Sequence, residues 1–155
     1  MDKIKHPKIY SKSQIKRIGE SGKIVREVLS IMGEKCKEGV TTKELDNIAF
    51  STITKLGGKP ACLGYRGFPA SSCISIDSVI LHGIPDETII KSGMLVGIDC
   101  PVLYKGMYAD SAINIEVGEV DKKSKKINNS VKSCLYELIK IIKPNMEVQE
   151  ICRFQ

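Results

Sequence analysis

Gly97-Ile98-Asp99-Cys100-Pro101-Val102-Leu103-Tyr104-Lys105-Gly106-Met107-Tyr108-Ala109-Asp110-Ser111 carries two aspartates eleven residues apart in an otherwise largely apolar run. Lys105-Gly106 reads as a turn, and the short apolar stretches on either side read as neighbouring strands. Strands joined in this way let Asp99 and Asp110 point at one place. A carboxylate on an apolar strand is costly to bury unless it is paired or bound to a cation. Asp99 directly follows Leu95, Val96 and Ile98, which makes it a candidate metal ligand. Paired aspartates supply hard oxygen donors suited to divalent manganese, iron, cobalt or zinc in a two-metal hydrolase. The plain alternative is that Asp99 is buried against a lysine or serine and Asp110 caps a turn.

The period of the apolar residues changes on both sides of this region. Upstream, Ile15, Ile18, Val25, Leu29, Met32 and Cys36 recur at helical spacing after Ser11 and Ser13, and the helix is expected to end at Gly39. Thr41-Thr42-Lys43-Glu44 has the form of a capping box. It opens a second helix whose apolar face is Leu45, Ile48, Ala49, Ile53 and Leu56 and which Gly57-Gly58 stops. Short apolar runs at Cys73–Ile76, Val79–Leu81, Leu95–Cys100 and Ala109–Val117 then read as strands. Downstream, Ile127, Val131, Leu135, Leu138 and Ile142 mark a third helix closed by Pro144, and a further helix opens near Glu147. Two helices, a run of antiparallel strands and a further helix make an α+β chain, with helices on one face of a curved antiparallel sheet.

The bulk properties fit one globular domain. The chain has 155 residues, 42% hydrophobic and 27% charged, which is too apolar and too evenly charged for a disordered segment. No apolar stretch is long enough to cross a membrane or to serve as a secretory signal, so a cytoplasmic protein with no membrane partner is expected. The six cysteines stand singly, with no C-x-x-C pair, which argues against a zinc ribbon or a thioredoxin-like motif and for reduced thiols. The net charge of +6 gathers at Lys12–Arg17 and Lys122–Lys126. These are solvated helix faces in the plain reading, and an approach to the ribosome surface in the sharper one, with no specific nucleic acid implied.

A lone histidine ends the run Val79-Ile80-Leu81-His82-Gly83-Ile84-Pro85, and by itself is more often structural than catalytic. The order of motifs changes that. Ala61-Cys62-Leu63-Gly64-Tyr65-Arg66-Gly67-Phe68-Pro69, Cys73-Ile74-Ser75-Ile76, His82-Gly83-Ile84-Pro85 and the Asp99/Asp110 pair together resemble type I methionine aminopeptidases of peptidase family M24 in order and spacing. The resemblance extends over essentially the whole chain, from the two leading helices to Lys143-Pro144. It implies the pita-bread α+β fold, two similar halves around a dinuclear metal centre. Residues 1–155 then form the amino-terminal part of a single catalytic domain, with the remainder absent.

By this resemblance Asp99 is the bidentate ligand of one cation and Asp110 bridges both, with cobalt, manganese, iron or zinc as the metal. His82 contacts the substrate near the scissile amide and counts as catalytic. Cys62, Tyr65, Phe68 and Cys73 line the pocket for a methionine side chain, and polarizable thiols and aromatic rings suit a thioether; a plain core role is the competing reading. The implied reaction removes the initiator methionine from a nascent polypeptide, with the divalent cations activating the attacking water. The resemblance also implies three further ligands, a histidine and two glutamates, beyond Gln155. His6 and His82 are the sequence's two histidines and neither stands where that ligand belongs, so the chain alone is expected to be inactive. Pro101 and Ser111 depart from the threonines usual in the family, and proline, with no N–H to donate, requires an edge or a bulge there. The alternative function is a non-catalytic pita-bread binding module, associated with the ribosome through its basic helices. A proline-specific peptidase fits the Cys62–Tyr65 and His82–Pro85 segments less well.

Overall fold

The computed structural model describes residues 9–154; His6 and Gln155 lie outside them. Helix α1 (Lys12–Lys35) starts at Ser11, whose hydroxyl accepts from the Gln14 N–H while the Gln14 side chain accepts from the Ser11 N–H. This is a capping box that satisfies two of the free donors of the first turn. The buried stripe is Ser21, Ile24, Val25, Val28, Leu29 and Met32, so Ile15, expected on that stripe, is exposed. The helix also stops at Lys35, short of Gly39, because Cys36 takes extended backbone angles at the C-cap. Helix α2 (Thr42–Lys55) opens on the expected Thr41/Glu44 box and ends with Gly57 in the left-handed region.

Strands β1 (Lys59–Pro60), β2 (Cys73–Ile76), β3 (Leu95–Asp99), β4 (Val102–Tyr104), β5 (Met107–Ala109) and β6 (Ala112–Glu116) form two antiparallel three-stranded sheets, ordered β1-β4-β5 and β2-β3-β6. One long hairpin links them. Leu95 pairs with Glu116, Asp99 with Ala112, Val102 with Ala109 and Tyr104 with Met107, a single register from end to end. Its tip is Lys105-Gly106, both at positive φ, which matches the right-handed twist of the strands. Strand pairing lapses at Cys100 and Pro101, between β3 and β4, and Pro101 turns its donorless nitrogen to the β1 side, away from Asp110. There the Cys100 N–H still reaches the Ser111 carbonyl, and the Pro101 carbonyl accepts from Ala61.

The period of two divides this hairpin cleanly. Val96, Ile98, Cys100 and Val102 are fully buried, and with Ile74, Ile113 and Ile115 they meet Val28, Leu29, Met32, Leu45, Ala49 and Ile53 of the two helices. Burial of each such aliphatic side chain contributes roughly 1.5–3 kcal/mol before entropy is counted. Ser21, fully buried, bridges α1 to the hairpin tip by donating toward the Tyr104 and Met107 carbonyls. The opposite face of the hairpin, carrying Asp99, Pro101, Tyr108 and Asp110, is left open.

Helix α3 (Lys122–Ile141) is capped by Asp121 and runs beside β6, tied by Asn128 to Asn114 and Glu116. It ends before Pro144 as expected, and α4 (Val148–Phe154) follows. The expected strand at Val79–Leu81 does not form. Asp77 turns at positive φ with its N–H on the Leu95 carbonyl, and Ile80, 91% exposed, projects into solvent.

Candidate active site

The open face of the hairpin floors a cleft of about 680 Å³ whose lining includes Cys62, Tyr65, Phe68, Cys73, His82, Asp99 and Asp110. All seven residues singled out in the sequence therefore meet in one place, although they come from four separate segments.

Register explains how the two aspartates meet. Asp99 lies opposite Ala112, and Asp110, two residues before Ala112, is its diagonal neighbour on the same face. Cys73 lies directly opposite Asp99 on β2, so its thiol joins the same face. Burial, together with the hydrogen bond and charge of Asp110, pushes the Asp99 carboxyl up to about 6, while His82 opposes the rise. Placing the Asp110 carboxylate beside it in a half-buried cleft makes charge on Asp99 costly. That crowding is the arrangement a divalent ion relieves, and hard oxygen donors suit it. Among the described residues, no group of three or more histidine, cysteine, aspartate or glutamate side chains is placed to hold a metal ion. The pair fits one side of a metal centre rather than a whole shell.

The wall opposite is a tight loop. A 3-10 turn at Tyr65–Gly67 is closed by the Tyr65 N–H on the Cys62 carbonyl and the Gly64 N–H on the Phe68 carbonyl. Gly64, Arg66 and Gly67 all take positive φ, so the chain doubles back and presents Tyr65 and Phe68 to the cleft. The Cys62 thiol donates to the Ala70 carbonyl at 3.3 Å. Burial raises Cys62 to about 12 and Cys73 to about 11, so both walls present neutral thiols at neutral pH.

His82 enters from a third segment. Its backbone is left-handed, uncommon for a residue with a side chain and enriched at functional sites. Gly83 next to it lies against β2, where Ile74 donates to the Gly83 carbonyl and Gly83 donates to the Ser75 hydroxyl.

Sequence reading missed several lining residues. Tyr108 and Pro101 line the cleft, each two positions from an aspartate on the same arm of the hairpin, so the period of two carried the signal. Arg66 and Ile84 also line it; they stood inside quoted motifs without a role.

The profile of "Metallopeptidase family M24" matches residues 16–154. The chain belongs to that family. It is 38% identical over 151 residues to methionine aminopeptidase 1 of Saccharomyces cerevisiae, covering 97% of this chain and 39% of that protein. It is also 38% identical over 152 residues to the methionine aminopeptidase of Aquifex aeolicus, covering 94% of this chain and 59% of that one. The crystal structure of methionine aminopeptidase from Thermotoga maritima superposes with a TM-score of 0.92 at 28% identity, covering 95% of this chain and 59% of that one. The M24 fold is thus the expected pita-bread α+β architecture. A prolidase from Pyrococcus horikoshii, with a TM-score of 0.79 at 22% identity, shares the fold alone. This M24 chain spans between 39% and 59% of the length of the relatives named here.

Proposed function

We propose that this chain supplies the methionine pocket and two carboxylate ligands of a methionine aminopeptidase that removes the initiator methionine from nascent polypeptides in the cytoplasm. The observation that carries this reading is that the diagonal Asp99/Asp110 pair shares one cleft with Cys62, Tyr65, Phe68, Cys73 and His82. The relatives' names agree with it. Asp99 and Asp110 would hold divalent cations, cobalt, manganese, iron or zinc, in company with ligands from residues outside this span. Bound there, such ions would supply Lewis-acid polarisation of the scissile carbonyl and an activated water.

The chain's own residues do the rest. The thiols of Cys62 and Cys73, held neutral, and the rings of Tyr65 and Phe68 accept a flexible thioether without charge. His82, fixed in its left-handed turn, offers an imidazole to the amide beside the carboxylates. The substrate is the amino terminus of a nascent chain, and the lysine-rich starts of α1 and α3 are a candidate contact with the ribosome surface.

The test is release of methionine from a Met-Ala-Ser peptide by the full-length product carrying this sequence, with manganese or cobalt present. Asp110→Asn is expected to abolish turnover and lower the bound metal. Turnover that survives with unchanged metal content contradicts the bridging role. A full-length protein that holds no divalent ion and releases no methionine supports a non-catalytic binding module instead.

A further inference from the structure

The wall of the cleft is held from behind by a residue that does not itself line it. Asp46, on α2, points its carboxylate at the segment that leads into β2. One oxygen accepts from the Ser72 N–H at 2.7 Å, from the Ser72 hydroxyl at 2.7 Å and from the Ser71 N–H at 3.0 Å; the other is 3.2 Å from the Ser71 N–H. Ser71 and Ser72 are buried, Ser72 fully, so these are charge-assisted bonds sheltered from water. The anchored peptides touch both sides of the pocket. Ala70, one residue before, offers the carbonyl that receives the Cys62 thiol, and Cys73, one residue after, is the first residue of β2 and pairs with Asp99.

We propose that Asp46 is a positioning residue for the methionine pocket: it fixes peptides 70–72 and through them the relative placement of the Cys62 and Cys73 thiols against Asp99. The inference deepens the function proposed above and rests on that reading for the identity of the ligand. The geometry favours this role over a general contribution to the core. α2 is already seated by Leu45, Ala49 and Ile53, each fully buried on its apolar face, and Asp46 stands beside that stripe with its bonds directed to a single loop. No other side chain among the hydrogen bonds described here reaches the Ser71 or Ser72 amides. Removal of the carboxylate leaves two buried N–H groups without a partner, which favours local opening of the loop. Asp46 also adds a negative charge close to the thiols, in keeping with their staying neutral.

The experiment measures iodoacetamide alkylation of each cysteine by peptide mass spectrometry in the folded chain, for the native sequence, Asp46→Ala and Asp46→Asn. Cys36, buried in the core just beyond the end of α1, reports global opening, and Cys152, exposed on α4, reports intrinsic reagent reactivity. In Asp46→Ala, Cys62 and Cys73 are expected to react about ten- to a hundredfold faster, the range for losing one or two charge-assisted bonds that hold a local closure, with Cys36 unchanged. Asp46→Asn, which keeps one acceptor oxygen, should fall between, and it carries the test if the alanine variant does not fold. Unchanged Cys62 and Cys73 rates in both variants, or a rise matched by Cys36, overturns the positioning role. A parallel run adds L-methioninol to the native chain. Protection of Cys62 supports the pocket as a methionine site; absence of protection counts against that ligand while the Asp46 comparison still stands or falls by itself.

Discussion

Replacement of Gly83 by alanine perturbs the site through backbone geometry alone. A Cβ on Gly83 would lie 2.1 Å from the Ile74 carbonyl oxygen, 2.8 Å from its carbonyl carbon and 3.0 Å from Ser75 Cα. Carbon contacts settle near about 3.5 Å, so the segment would have to retreat from β2 by on the order of 1 Å. The neighbours are backbone of the edge strand β2, held by β3 on its other side, and yield little. Retreat strains the bond from Ile74 N–H to the Gly83 carbonyl, 2.9 Å, and that from Gly83 N–H to the Ser75 hydroxyl, 3.1 Å. Two such bonds at ~1 kcal/mol each, with some overpacking, give a loss of about 2–4 kcal/mol. His82 moves with its neighbour, and a misplacement of about 1 Å lowers kcat/KM by on the order of a hundredfold in the full-length protein. The assay is urea denaturation of Gly83→Ala beside Gly19→Ala. Gly19 lies inside α1 with nothing within 4 Å of its would-be Cβ, so there the same substitution should stabilise by roughly 0.5–1 kcal/mol. A Gly83→Ala protein as stable as the native chain, with its His82 resonance unshifted, would refute the reasoning.

In the metal-free chain Asp99 has a raised pKa, about 6 against an ordinary 3.8, so the folded state holds this proton more tightly than the unfolded one. Its contribution to stability is complete below the unfolded value and is lost as pH rises through about 6. Denaturation midpoints in chelator across that window should show this, and Asp110→Asn, which removes the neighbouring charge, should flatten it. Manganese affinity should run the other way, weakening as pH falls through the same range, because the proton and the cation compete for one carboxylate; calorimetry at several pH values tests this. Thr41→Ala removes the side chain that accepts from Glu44 N–H and should cost about 1 kcal/mol, read as a lower Tm.

Local signals were legible wherever the physics is local. The Thr41/Glu44 box, the Lys105-Gly106 tip and the limits of β2 all follow from residues a few positions apart, and each stands where the sequence put it. The meeting of Asp99 with Asp110 was also legible, since a hairpin with one turn fixes its own register. Val79–Leu81 misled because an apolar run at strand length does not say whether it has a partner; here Val79 closes only a turn onto Ile76, and it is Gly83, beyond the run, that bonds along β2. The end of α1 misled because Cys36 is apolar and buried yet already outside the helix. Asp46 carried no sequence signal at all. Its partners lie 25 and 26 residues away in a loop, and only the folded backbone brings their N–H groups to it.

The proposed cation site is tested most directly by titrating manganese into the isotopically labelled chain and following which amide resonances broaden. Loss of the Cys73, His82, Asp99 and Asp110 signals before any others is the expected result, with Asp99→Asn and Asp110→Asn each abolishing that selectivity. Broadening that begins elsewhere, or that persists unchanged in both variants, would contradict a cation site at the paired carboxylates.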